Sequence, residues 1–239
     1  MHALFHRFCR HRPSWALQLA LLFKVLPASA FWLLGFSAAD TLPAGGLGVI
    51  AGTGGQFSRV GSPSQDSSSV FIPHAGFRWG LSDDVDVGYR LVQVTLPFSA
   101  LGPTLGGEFD GKYRISDPAA ANQWAILAGL AYAHVEISGQ SKTAWSPGVD
   151  LISSRVMTDR YTLFADFRYV ATAIPTAAGG QALNHFSTGG VGGGVKIRLT
   201  PQASLVPELG LFHLQGQVQG KAVAGHAAQV GVVLAMRIW

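Results

Sequence analysis

The sequence predicts an all-β fold, a closed antiparallel transmembrane β-barrel of about ten strands, on three observations. Apolar and polar side chains alternate with period two in a series of stretches, which on a strand makes one face apolar and the other polar. Connections between these stretches alternate long and short along the chain. Only 13% of the 239 residues are charged, while 30 are glycine, a composition that excludes a charged coiled coil or a long disordered tail. After residue 39 no run reaches the length of about 18 apolar residues that a membrane helix needs. A chain with this pattern crosses lipid as strands, and strands do so only when closure pairs every backbone group.

Residues 1–39 read as a cleaved signal peptide and residues 40–239 as the barrel. Arg7, Arg10, Arg12 and Lys24 are the only charged residues of the first segment. Basic residues, an apolar stretch and small residues follow one another as in a secretory leader. Lys24 and Pro27 interrupt the stretch and argue against an uncleaved anchor helix. Ala28-Ser29-Ala30 and Ser37-Ala38-Ala39 both fit the small-x-small rule. Cleavage after Ala39 is preferred, because cleavage after Ala30 leaves the apolar run Phe31-Trp32-Leu33-Leu34 on the mature chain. The formal charge of +4 then departs with the leader, leaving 13 Asp+Glu balanced by as many Lys+Arg. Nothing in that balance implies a nucleic-acid partner. The only cysteine, Cys9, lies in the leader, which excludes a disulfide framework and a cysteine zinc site; no cofactor is expected.

The strands follow in order. A first one is expected over residues 46–57. In 71–80, Phe71, Pro73, Ala75, Phe77 and Trp79 oppose Ile72, His74, Gly76, Arg78 and Gly80. In 85–91, Val85, Val87, Tyr89 and Leu91 oppose Asp86, Gly88 and Arg90. The clearest stretch is 104–115, where Leu105, Phe109, Tyr113 and Ile115 share one face and Glu108, Asp110, Lys112 and Arg114 the other. Residues 124–135 are weaker, since Trp124, Ile126, Leu130 and Tyr132 oppose only small or apolar residues. Residues 144–157 are the least regular: Asp150 and Arg155 fall on opposite parities, which predicts a bulge. In 161–170, Tyr161, Leu163, Phe167 and Tyr169 oppose Asp166 and Arg168. In 190–199, Val191, Val195, Ile197 and Leu199 oppose Lys196, Arg198 and glycines. In 205–212, Leu205, Pro207, Leu209 and Leu211 oppose Val206, Glu208 and Phe212. The last strand, 227–239, alternates Val230, Val232, Leu234, Met236 and Ile238 against Arg237.

Connections 81–84, 116–122, 157–160 and 200–204 are short. Connections 58–68, 97–103, 136–142, 173–184 and 215–225 are mostly longer. An even strand count with short turns at one end and long loops at the other suits a membrane barrel, whereas in a soluble sandwich the alternation would be accidental. A soluble barrel binding lipid inside would need the opposite placement of the two faces.

Residues 40–239 resemble, over their whole length, the small outer-membrane β-barrel proteins of Gram-negative bacteria, a porin-like family. The pattern above carries the resemblance, together with the alternation that runs to an aromatic chain end at Trp239. It implies periplasmic termini, an outer-membrane location, and outer-membrane lipid and lipopolysaccharide as surroundings. It also implies the barrel insertion machinery as a partner, and other envelope proteins are further candidates. Trp239 departs from the pattern by sharing the parity of Arg237. Either it turns outward as an interface anchor, or Ile238 fills the terminal role.

With periplasmic termini, Trp79, Tyr113, Trp124 and Tyr161 form an outward belt at the short-turn end. Tyr132, Trp145 and Tyr169, with Phe71, form another at the long-loop end; together with Trp239 these are the expected interface aromatics. The inward face carries Arg78, Asp86, Arg90, Glu108, Asp110, Lys112, Arg114, Asp166, Arg168, Lys196, Arg198, Glu208 and Arg237. Such charges must be hydrated or paired. Arg78, Arg114, Arg198 and Arg237 group toward the short turns, predicting a basic constriction and a slight anion preference. Two readings stay open: a narrow porin-like channel, and a structural barrel filled by an internal ion-pair network. A docking component of a larger envelope assembly without a pore is an alternative.

Signals for catalysis are weak, and no catalytic residue is assigned. His185-Phe186-Ser187 resembles the His-x-Ser of outer-membrane lipid A deacylases, so His185 and Ser187 are candidates for a membrane-embedded lipid A hydrolase. Thr188 stands where that family has asparagine, and no acid follows on the strand. An omptin-like protease is excluded because Asp83-Asp84 lies at the short-turn end. His185, His213 and His226 head successive strands, without any His-x-x-x-His pair to support a metal. Residues 189–194 lack the Lys-Ser/Thr of a phosphate loop, and their glycines read as structural.

Overall fold

The computed structural model describes Gly35 and residues 37–61, 65–94, 104–137, 140–174, 184–218 and 221–239. Ten strands follow one another: β1 (Leu47–Gly61), β2 (Gln65–Gly80), β3 (Val85–Val94), β4 (Thr104–Arg114), β5 (Asn122–Ile137), β6 (Gln140–Val156), β7 (Tyr161–Ile174), β8 (Asn184–Arg198), β9 (Ala203–Val218) and β10 (Lys221–Arg237). Each pairs antiparallel with its sequence neighbours, and β1 pairs with β10, so the sheet closes. No helix occurs among the described residues.

Tracing paired residues once around the barrel measures its stagger. Gly48 leads through Arg78, Gly88, Asp110, Gly129, Gly148, Val170, Thr188, Leu214 and Gly225 back to β1 at Val60, twelve residues further along. A shear of that size on ten strands tilts them by roughly 40° and leaves an interior only slightly wider than side chains can fill.

Alternation places the faces as expected. Phe77, Trp79, Leu91, Phe109, Tyr113, Leu163, Phe167, Leu209 and Leu211 are exposed on the outer wall, while Asp86, Arg90, Glu108, Asp110, Asp166 and Arg168 are buried inside. This arrangement reverses a soluble protein, in which exposed surface of this kind would sit in water.

Two expectations are corrected. The bulge predicted in 144–157 is absent: β5 and β6 stay in one register from Asn122–Arg155 to Ile137–Gln140. Asp150 is buried inside, and Arg155 is an exposed, outward charge near the strand end. Three of the expected long loops are largely strand. β1 and β2 are only three residues apart, and β5 and β6, like β9 and β10, only two. Of the other two, the connections at 95–103 and 175–183 lie outside the described residues.

The short turns are built by side chains that supply missing backbone partners. Thr158 Oγ1 accepts from the Arg160 and Tyr161 amides at 3.2 and 3.1 Å. Thr200 Oγ1 accepts from the Gln202 and Ala203 amides at 3.2 and 2.9 Å. The repeated hydroxyl device makes both turns compact. Ahead of β1, Gly45 adopts a φ of 75°, open to glycine at no steric cost, and turns the chain from the barrel mouth into the wall.

Candidate functional site

The interior charges form two clusters. In the first, on β2, β3 and β4, Arg78 lies between Asp86 at 2.5 Å and Asp110 at 2.7 Å. Arg90 pairs with Glu108 at 2.5 Å, and Lys112 stands 3.8 Å from Asp86. Alternation aims all six side chains inward, and antiparallel pairing sets Asp86 opposite Lys112, and Arg90 opposite Glu108. This group is charge-balanced.

The second cluster surrounds Arg168 on β7. Its guanidinium donates to Asp166 at 2.9 Å and Glu208 at 2.7 Å, lies 3.9 Å from Asp150, and sits over the Phe212 ring at 5.3 Å. Three carboxyl groups meet one cation, so acidic side chains outnumber basic ones on this side of the lumen. A buried apolar cluster that includes Ile72, Val92, Leu127, Ala131, Ile152 and Val170 shares the interior with these charges, and Ser58, His74, Ser146 and Thr172 are buried toward the loop end. A cavity beside Arg168, lined by Gln56, Val170, Thr188, Phe212, Leu214 and Ala227, has room for about one water molecule.

The predicted basic constriction does not form. Arg78 is neutralised by two aspartates, and Arg114 is held at the mouth by Asp84 at 2.7 Å and the Asp83 carbonyl at 2.9 Å. Arg198 and Arg237 keep the inward parity but lie exposed at the rim. The rim falls where the lumen ends, so parity alone does not place a side chain inside. Asp150 is the luminal charge that the sequence reading did not place, although Ala144, Ser146, Gly148 and Asp150 share one parity.

A chain segment occupies the lumen among these charges. Arg90 donates to the Gly35 carbonyl at 3.2 Å. Lys112 donates to Ser37 Oγ at 3.0 Å, to the Ala38 carbonyl at 3.2 Å and to the Asp40 carbonyl. The Ala39 amide donates to Ser154 Oγ at 2.7 Å, and the Leu42 amide to Asp86 at 3.0 Å. Lys196 pairs with the Asp40 carboxylate. Burial raises the pKa of Asp40, but Lys196 and Lys112 outweigh it and bring it down to about 2. Ala38 and Ala39 are buried. Sequence reading missed this role because residues 35–39 carry the small-residue signature of a leader cleavage site.

On the outer wall, Trp79, Tyr113, Trp124 and Tyr161 are exposed toward the short turns, and Trp145 and Tyr169 toward the loops, with Tyr132 half-buried. Tyr132 stacks near Trp145 at 5.8 Å between centroids and shares a 3.2 Å hydroxyl contact with Tyr89. Trp239 is 68% exposed and Ile238 50%, both at the rim where the chain ends. Ser187 donates weakly to the Gln215 carbonyl at 3.5 Å. His213 and His226 are paired across β9 and β10, but His185 pairs with Gln217, four residues along β8 from Gly189, the partner of His213. That separation is roughly 13 Å, so the three histidines do not converge.

No family model matches this chain, and no curated protein matches it. Among solved structures it is similar to an outer membrane channel from Pseudomonas putida F1, with 12% identity and a TM-score of 0.52, covering 86% of this chain and 100% of that one. It is also similar to the outer membrane protease OmpT from Escherichia coli, at 10% identity and a TM-score of 0.47, covering 87% and 99%. Neisserial surface protein A gives 10% identity and a TM-score of 0.39, covering 79% and 96%. The likeness is one of fold: this chain is a closed antiparallel barrel of the outer-membrane type.

Proposed function

We propose that residues 40–239 form an integral barrel of the Gram-negative outer membrane that serves as a narrow porin-like channel for small polar solutes. The carrying observation is the placement of faces: an exposed apolar wall with aromatics toward both ends, around a charged interior. Such a wall is stable only against lipid. Residues 1–39 act as the leader, cleaved after Ala39. Signal cleavage acts on the exported chain before a barrel closes, so in the mature barrel Gly35 and residues 37–39 are absent from the lumen. Arg90, Lys112 and Ser154, which hold that segment, line a hydrated passage instead. The acidic excess around Arg168 favours small cations over anions, the reverse of the preference that the sequence suggests.

A second reading, a closed structural barrel, is favoured by the ion pairs that fill the lumen. It requires processing after Ala30, which retains residues 31–39 inside. Periplasmic termini place the short turns on the periplasmic side. A docking role would show as a partner crosslinked in native membranes. The lipid A hydrolase reading has only His185 and Ser187 behind it, and no carboxylate accompanies them on their strand.

One preparation tests both main readings. Carbonate-resistant membrane association and heat-modifiable gel mobility are expected, and their loss would sink every barrel reading. Protein from outer membranes should then have the mass of a chain beginning at Asp40 and give discrete conductance steps with cation selectivity in planar bilayers. A mass beginning at Phe31 with no steps would replace the channel by the closed barrel.

A further inference from the structure

One row of the outer wall departs from the apolar pattern. Arg59 on β1 pairs with His226 on β10, His226 with His213 on β9, His213 with Gly189 on β8, and Gly189 with Tyr169 on β7. Directly paired residues on adjacent strands bring their side chains within reach of one another. The His213 and His226 rings lie 5.0 Å apart, with their Nδ1 atoms at 3.5 Å. Arg59, His213, His226 and Tyr169 are all exposed. Gly189 has no side chain, and the nearest atom to a Cβ built there would be Tyr169 Cδ2 at 3.8 Å. A shallow notch therefore separates the His213 imidazole from the Tyr169 ring.

The level of the row matters. Two residues nearer the short turns, Phe57 and Leu211 are exposed and apolar; two residues the other way, His213 is followed by the exposed Gln215. Strand tilt makes the row run obliquely, and its Arg59, His226 and His213 end falls where the apolar wall gives way to polar side chains. Its chemistry suits an anion. The Arg59 guanidinium beside the two imidazoles repels a divalent metal, and the outward neighbours Phe57, Leu211, Gln215, Ser187, Ala224 and Ala228 include no carboxylate. Arginine favours phosphate through its planar fork of donors.

We propose that Arg59, His226 and His213 bind a phosphate of the lipid A headgroup, with the Tyr169 ring against its sugar. The proposal rests on the outer-membrane reading with periplasmic termini, which puts this row in the outer leaflet. The test titrates detergent-folded protein with bisphosphorylated lipid A, fully dephosphorylated lipid A and phosphatidylglycerol, counting bound lipid by native mass spectrometry. Wild type should retain bisphosphorylated lipid A in preference to the other two. The R59Q/H213Q/H226Q variant should bind it about tenfold more weakly, and Tyr169→Ala should weaken binding of the sugar-bearing lipid alone. Equal binding by wild type and triple variant would overturn the proposal. So would equal affinity for phosphatidylglycerol, or stoichiometric zinc binding by the wild type that shifts the histidine ring resonances. Heat-modifiable mobility and carbonate extraction on the same samples confirm that each variant folds. A failed titration with those intact leaves the barrel reading standing.

Discussion

Arg168 holds three carboxylates, and its removal would leave buried negative charge with nothing to offset it. Arg168→Met is expected to destabilise the barrel by about 3–5 kcal/mol, read as a lower urea midpoint in detergent micelles. Arg114→Met is the contrast: its partner Asp84 is 53% exposed, and the expected loss is about 1 kcal/mol or less. Asp40 gives a pH signature. Folding lowers its pKa from 3.8 to about 2, so its ion pair contributes stability above the ordinary carboxylate range and loses it as pH falls through about 2. The difference in melting temperature between wild type and Asp40→Asn should be flat from pH 7 to 5 and vanish by about pH 2; a difference that grows on acidification would contradict the pairing. At this scale the sequence was partly legible. Parity identified Arg90, Glu108 and Arg168 as inward, because each sits within a clean alternation. It failed for Asp150, because Arg155 in the same stretch obeys the other parity, and that conflict looked like a bulge. An outward arginine near a strand end reaches headgroups or water along its own stem, so it breaks the pattern without bending the strand.

β8 shows how wall and interior divide the work within one element. Gly190 faces the lumen, where an added Cβ would collide with the Leu211 carbonyl and the Phe212 ring, whereas a Cβ on its neighbour Gly189 meets only Tyr169 at 3.8 Å. Gly190→Ala should therefore cost about 1–3 kcal/mol, while Gly189→Ala should leave the temperature of the heat-modifiable transition nearly unchanged. Equal effects would show that the tight packing inside β8 is unimportant. Strand existence and facing were legible because lipid on one side and charge on the other enforce period two. Strand ends were not. β1, β2, β9 and β10 run beyond the aromatic belt in sequence rich in serine and glutamine. Outside the bilayer the outer face meets water, so a hydrogen-bonded hairpin there needs no apolar alternation and reads as a loop.

The whole molecule is organised around a lumen too narrow to ignore a short stretch of chain. On the channel reading, loss of Gly35 and residues 37–39 is what opens the interior. Retaining residues 31–39 by directing processing to Ala30 instead of Ala39 should abolish the conductance steps of the mature barrel without affecting its membrane extraction; steps of unchanged size would mean that ions take another route. The fold itself was legible without any motif, because a barrel is specified by alternation, turns and even strand number rather than by particular residues. That is consistent with a shared fold at 12% identity. The luminal segment was not legible, since small residues suit both a protease recognition site and a tight interior.

The seam between β1 and β10 sets an order in time. Its fourteen paired positions join the beginning of the barrel to its end, so the first strand keeps an unsatisfied edge until the last has been delivered. A chain interrupted anywhere before β10 remains an open sheet with two sticky margins. Closure thus works as a proofreading step, in which only a finished polypeptide can leave the assembly pathway as a stable ring.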